Sequence, residues 1–500
     1  MEKYDDIVVG SGISGLSMAQ LLALQGRKIL LIEKAPIIGG SLARFSRKGI
    51  PFDTGFHFTG GYGETRTLHD MQTVLGIDDD IKPIFLDGDN SNKLFFEDIN
   101  KTFFCPQGVS ETINQLTKYF PHEESGIRSF FEKSKYICKN TRMLDLREMG
   151  DDIPSFASAI DEDFISLTQG INELVDDSYL KSILCLYCLC YGTKPDEVSF
   201  ATHCRISLWL FKSVARVENG GDAFISAFKK QFIRNSVDIK TKTYIEEFSG
   251  FSGKRANIAI LNTGEQITFD NCILAIHPKQ ILNMLPQQFV KKGFRDRVSD
   301  YEESNGFFCV HGYLENYPKQ FQPSLNSILS SPDLNKILDP QVLEQTNLVV
   351  MTSNETVNGK EYKMVNAFES SFYENVKQFD NNGKRSQAYE KYKKERTEQI
   401  LERMYKVFPE FRGHLRILES ASMLTFKDYL YSPYGSAYGI KQKVGQFNLL
   451  GRLPVRNFYA IGQSALLPGL LGGMMSSFAV LKSIIGKENF QDFIDKRLGI

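Results

Sequence analysis

Asp6-Ile7-Val8-Val9-Gly10-Ser11-Gly12-Ile13-Ser14-Gly15-Leu16 opens the chain's first interpretable unit. Asp6–Val9 is a short β-branched run and Gly10–Gly15 a glycine-rich turn. Leu16–Gln25 carries helical periodicity to Gly26, and Lys28–Glu33 reads as a second strand. The pattern predicts a βαβ unit, two parallel strands joined by a right-handed helical crossover. Gly10, Gly12 and Gly15 form G-x-G-x-x-G directly after a strand and at the opening of a helix, the context that gives this motif its meaning. The first glycine permits the tight turn and the second lets the backbone approach a pyrophosphate. The third brings helix and strand close, and the helix start, with Ser14 in its first turn, offers N–H groups and partial positive charge to phosphates. Glu33, eighteen residues after Gly15, is placed to accept from ribose hydroxyls and to repel a 2′-phosphate.

Strand-like runs recur at Ile258–Leu261, Cys272–Ile276 and Phe458–Ile461, far from the first unit. The nucleotide domain is therefore expected in three pieces, 1–75, 215–280 and 451–485. Residues 76–214 and 281–450 form a second, α+β domain for the substrate, and 486–500 a tail helix. Strands are expected at Phe307–Leu314 and Asn347–Thr352, and a solvated helix over the charged stretch Lys384–Arg403. The fold class is α/β, a Rossmann-type domain assembled from discontinuous segments.

Further along, the sequence reads Glu33-Lys34-x4-Gly39-Gly40-x3-Arg44, then Gly49-Ile50-Pro51-Phe52-Asp53-Thr54-Gly55-Phe56-His57-Phe58. Near the C-terminus come Thr425-x3-Tyr429-x2-Ser432-Pro433-x-Gly435-x2-Tyr438-Gly439 and Asn457-Phe458-Tyr459-x-Ile461-Gly462-Gln463, with Pro468-Gly469-Leu470 and Gly472-Gly473 behind. In order and spacing these resemble the retinol saturases, carotenoid isomerases and phytoene desaturases of the amine-oxidase-type flavoprotein superfamily. The resemblance implies FAD as cofactor. It places Gly39 and Gly40 against the flavin side of the cofactor, Arg44 near its adenosine or phosphates, and Gly462, Gln463, Leu470, Gly472 and Gly473 around the flavin. Lys34, Ser41 and Ile245 complete the expected cofactor set. A helix starting near Gly472 would present N–H groups to the O2 side of the isoalloxazine.

For chemistry, His57 is the candidate proton-transfer residue because an unperturbed imidazole titrates near pH 6.5; packing between Phe56 and Phe58 is its alternative role. Tyr438 and Tyr429 are candidate donors or aromatic walls around an apolar ligand, and Asp53 a turn acceptor. The activity implied is oxidoreduction of a carbon–carbon double bond in an apolar conjugated polyene, saturation first, with desaturation or cis–trans isomerisation as alternatives. A flavin amine oxidase and a non-catalytic prenyl-lipid carrier of the GDP-dissociation-inhibitor type are the rival readings. The partners expected are the polyene, an electron donor or acceptor, and a membrane surface.

Composition agrees with a large globular chain. Hydrophobic residues make up 42%, and 59 Lys plus Arg stand against 60 Asp plus Glu, which leaves no basic field for nucleic acid. The cluster Cys185, Cys188 and Cys190 sits in an apolar run without a partner pair, so no metal is assigned. A strand almost at Met1 leaves no room for a signal peptide, and the apolar stretches near Leu184 and over Leu466–Val480 are too short or too rich in Gly and Ser to span a bilayer. A cytoplasmic protein, peripheral to membranes, is the expectation.

Overall fold

A computed structural model describes residues 1–500 except 56, 63–66, 87–91, 150–158, 319–321 and 343–346; Phe56 of the Phe52–Phe58 motif thus lies outside the described residues. The first sheet begins with β1 (Glu2–Val9), crosses through α1 (Ile13–Ala23) and returns as β2 (Ile29–Ile32), parallel to β1. Strand Asp238–Lys240 pairs parallel with β2, Gln266–Leu274 parallel with β1, and Phe458–Ala460 parallel with Gln266–Leu274. In chain order the parallel strands lie 3-2-1-4-5. A hairpin, Ile245–Ser249 and Ile258–Leu261, is added antiparallel at Gln266–Leu274. Reversal of strand order between β1 and Gln266–Leu274 opens a crevice at their carboxyl ends, where open α/β sheets bind ligands. The central strands are apolar without alternation, as burial on both faces demands: all four residues of β2 are buried.

The second sheet has seven strands in the order Leu415–Ala421, Gly306–Leu314, Lys360–Ser371, Leu348–Val357, Ser324–Leu329, Lys93–Phe96 and Lys101–Phe104, antiparallel except for the pair Ser324–Leu329 and Lys93–Phe96. Alternation divides its residues between two faces. Phe308, Val310, Leu348 and Val350 pack with Ile400 and Met404 of helix Gln387–Val407. The charged stretch expected to be wholly solvated is thus the helix that covers this sheet. It buries an apolar stripe, and its Arg396 and Arg403 pair with the buried Glu369. The opposite face carries Phe307, Cys309 and His311, in register with Ser370, Phe368 and Asn366, and there the His311 ring meets Phe45 and Phe52.

Among the described residues no helix is long and apolar enough to cross a membrane.

Candidate functional site

At the crevice, Gly10 follows β1 so closely against the neighbouring strand that a Cβ on it would sit 2.6 Å from the Ala275 carbonyl oxygen. A Cβ on Gly15 would meet the Gly10 oxygen at 1.8 Å, so the third glycine is required by helix–strand contact. Gly12 differs. It caps α1 at φ −63° and ψ 177°, a conformation open to any residue, and a Cβ there would touch nothing within 4 Å. The space in front of Gly12 is what a pyrophosphate needs. No side chain caps α1 and its first turn holds no acidic residue, so its N–H groups remain available to an anion.

A second helix, α2 (Gly469–Ile485), starts beside the first; its N-terminus also lacks a side-chain cap. Gly473 lies against Ile13 and Ser14, and Ser477 Oγ donates to the Ser14 carbonyl oxygen at 2.8 Å. Strand Phe458–Ala460 leads into Gly462, whose N–H donates to Ser476 Oγ at 2.9 Å and whose missing side chain also faces open space. Gly40 completes the floor, its absent Cβ 3.1 Å from Gly12 Cα. Gly39 stands over Ile225, Leu470 is buried in the core, and Ser41 is exposed, its carbonyl oxygen accepting from Gly55 N–H at 3.1 Å.

Glu33 is buried at the end of β2. Its carboxylate accepts from Ser11 N–H at 2.8 Å, Ser11 Oγ at 2.5 Å and Ala35 N–H at 2.7 Å. It therefore holds the glycine loop as well as facing the crevice, a role for Ser11 that the motif alone leaves unmarked. Segment 240–245 runs alongside: Thr243 N–H donates to the Glu33 carbonyl oxygen, and Ile245 is buried behind it. Lys34 is exposed, its ammonium 4.5 Å from the Tyr431 ring centroid. These residues fit a dinucleotide cofactor, with two free helix starts, open space at two glycines and a ribose-type carboxylate.

Two expectations are corrected by tertiary contacts. Arg44 does not present its guanidinium to a phosphate: it is committed to Asp53 at 3.0 Å and Glu355 at 2.7 Å, with all three side chains at least nine-tenths buried. Asp53 is not a turn acceptor but the hub of this network, binding Arg216 at 3.0 Å as well. Burying four charges is tolerable only because each is paired. The result ties the 44–53 segment to the second sheet.

His57 and Tyr438 flank the inward face of that sheet. The His57 ring lies 4.3 Å from Phe368, Phe368 6.4 Å from Phe307, and Phe307 6.0 Å from Tyr438. Gln463 Nε2 donates to the Ala437 carbonyl oxygen at 3.2 Å, holding the Tyr438 loop beside Gly462. Desolvation lowers the His57 pKa well below that of a free imidazole, with His311 and Arg216 acting in the same direction. The ring is neutral at pH 7, which overturns the premise that it titrates near 6.5. Burial likewise keeps the Tyr438 phenol protonated. Tyr429 lies at the surface, 75% exposed. Phe307 and Phe368 were not singled out in sequence; the signal was their period-two placement in strands.

Next to this aromatic row is a small cavity of about 30 Å³, room for a water-sized group and far below the roughly 300–1,000 Å³ of ligand pockets. Phe58, Leu186, Leu189, Cys190, Leu325 and Val349 supply its apolar lining, and among the described residues no charged one is in its walls. Among the described residues no three His, Cys, Asp or Glu side chains gather as a metal site.

Residues 8–72 match the NAD(P)-binding Rossmann-like domain family. The chain is 22% identical over 550 residues to human all-trans-retinol 13,14-reductase, covering 99% of this chain and 88% of that protein. Residues of the chloroplastic prolycopene isomerase 2 of an Oncidium hybrid cultivar match at 34% identity over 149 residues, 30% of this chain and 25% of that protein. Putrescine oxidase bound to putrescine shares the fold, with TM-score 0.66, 14% identity and coverage of 96% of this chain and 99% of that one. The chain is thus similar from end to end to retinol reductases at 22% identity, similar over 149 residues to prolycopene isomerases, and shares its fold with amine oxidases.

Proposed function

We propose that the protein is an FAD-dependent oxidoreductase acting on a carbon–carbon double bond of an apolar conjugated polyene, with saturation as its reaction. The observation that carries this reading is the aromatic face of His57, Phe368, Phe307 and Tyr438 beside a small cavity with no charged residue among its described walls. An amine substrate could use the aromatic row for its ammonium, but no carboxylate lies among the described walls of the cavity, and it is retinol reductases that the chain resembles from end to end. A carrier needs no pair of free helix starts at an intact glycine loop.

In this proposal residues 1–75, 215–280 and 451–485 hold the cofactor, while 76–214 and 281–450 hold the substrate. The starts of α1 and α2, Gly12, Gly40 and Gly462 receive the dinucleotide, and Glu33 the ribose. Bound flavin supplies the two-electron couple through its N5. His57 orients the apolar chain as a neutral ring against Phe368, and Tyr438 retains a proton at the far end of the row. Exposed Ile84 and Phe85, each 44% accessible, give an apolar rim for peripheral contact with a membrane that stores such substrates.

The test is anaerobic photoreduction of the FAD-loaded protein followed by addition of retinoids, carotenoids and polyunsaturated acyl chains. Reoxidation by a polyene with appearance of its dihydro product is expected. Reoxidation by none of them, with amines instead reducing the oxidised flavin, would overturn the proposal.

A further inference from the structure

The hairpin Ile245–Ser249 and Ile258–Leu261 ends in a tight turn, in which Ser252 N–H donates to the Arg255 carbonyl oxygen at 3.0 Å and Arg255 N–H to that of Ser252 at 3.1 Å. Gly253, at φ 57°, takes the left-handed conformation such a turn favours. Lys254 and Arg255 are thereby held at the hairpin tip, both exposed, and beside them Phe251 is 38% exposed. Two other segments meet this tip. The Phe251 ring lies 5.5 Å from that of Phe289, which leads through Lys291 into helix Lys292–Ser299 with its Arg295 and Arg297. From the other side, Arg456 N–H donates to the Lys254 carbonyl oxygen at 2.8 Å. Ala256, Val290 and Val455 belong to one buried cluster beneath, so the three segments make a single supported surface.

Over the whole chain 59 Lys plus Arg stand against 60 Asp plus Glu, but here the balance fails: these segments carry seven cations. Asp296 and Asp300 lie on the helix, and the carbonyl oxygen of Asp270 accepts from Arg255 Nη2. Among the described residues none of the seven cations forms an ion pair with a carboxylate, whereas Lys240 and Lys279 on the flanking stretches pair with Glu265 and Glu303. Cations gathered without counter-charges create a positive field that an external anionic surface can satisfy.

We propose that this surface docks the protein on bilayers rich in anionic lipid, with the cations among headgroup phosphates and Phe251 at the boundary between headgroups and acyl chains. It is a contact separate from exposed Ile84 and Phe85, and it rests on charge, not on the polyene reading. A nucleic acid would also neutralise the cations, but one exposed phenyl at a hairpin tip offers no track of aromatic rings on which successive bases stack.

The test is flotation of the full chain with vesicles of phosphatidylcholine alone or with phosphatidylglycerol added, in about 0.1 M and about 1 M NaCl, where the screening length is about 10 Å and about 3 Å. Anionic vesicles should carry the protein at low salt, neutral vesicles should not, and high salt should release it. Lys254→Gln with Arg255→Gln should weaken partitioning about 30-fold, the worth of two basic side chains near an anionic surface. Lys291→Gln with Lys292→Gln, on a different segment, should weaken it by a similar factor; urea midpoints equal to the parent's confirm that both pairs leave the fold intact. Equal capture by neutral vesicles, capture by neither, indifference to salt, or parental partitioning of both glutamine pairs would overturn the proposal. Loss of the salt-sensitive binding in Ile84→Ser with Phe85→Ser would move the contact to the apolar rim and overturn it as well. Binding to duplex DNA but to neither vesicle would assign the surface to nucleic acid instead.

Discussion

Replacing Gly12 with alanine is expected to empty the nucleotide site while leaving the domain folded. At φ −63° and ψ 177° the backbone accepts an L-residue without strain, and the new methyl would find no protein atom within 4 Å. Stability of the apoprotein should therefore be unchanged or raised by about 0.4–1 kcal/mol, the usual gain from a less flexible unfolded chain. The same methyl projects where a pyrophosphate must approach the start of α1. Loss of two charge-assisted hydrogen bonds at about 1.5 kcal/mol each amounts to about 3 kcal/mol, or a roughly 150-fold weaker affinity for FAD. Gly15→Ala is the control for folding. Its methyl would need to displace the Gly10 carbonyl from 1.8 Å, and overpacking of that kind costs about 1–3 kcal/mol or more. Urea unfolding of the two apoproteins, with FAD titration followed by flavin fluorescence, separates the effects. Gly12→Ala protein that binds FAD like the parent, or that loses as much stability as Gly15→Ala, would refute the placement of the pyrophosphate.

Three other outcomes are expected. His57→Ala should reduce turnover per bound flavin less than about ten-fold while lowering flavin content or thermal stability, because the buried ring is neutral and packs on Phe368; a loss of about 10²–10⁴-fold at normal flavin content would instead make it an acid or base. Burial lowers the pKa of His203 to about 4, so the unfolded chain binds the proton first: this contribution to stability is complete above pH 6.5 and is lost as pH falls from 6.5 toward 4, at up to about 1.4 kcal/mol per unit. Urea midpoints between pH 7 and 5 should decline in the parent and decline less in His203→Gln; an unchanged slope would contradict it. Glu355→Ala, which leaves Arg44 paired with Asp53 alone, should cost about 3 kcal/mol in urea unfolding, and Arg44→Met in the same chain should restore part of it; a loss in the double variant equal to the sum of the two single-variant losses would show that the pair is not coupled.

Local sequence by itself determined the glycine loop, the flanking strand and helix, and Glu33, because a strand-to-helix turn within a βαβ unit is set by neighbours a few residues apart. The strands at 258–261 and 458–460 were legible for the same reason, as apolar runs bounded by turns. What the sequence could not determine were properties belonging to pairs of distant residues. Arg44 and Glu355 are 311 positions apart, and only the packed structure decides that a guanidinium expected at a phosphate is spent on a carboxylate. Tyr429 and Tyr438 share one motif, yet one is exposed on a helix end while the other is drawn under Phe307, a difference of tertiary burial. The motif around His57 was readable, but its protonation was not, since desolvation and the charge of Arg216 come from elements remote in the chain.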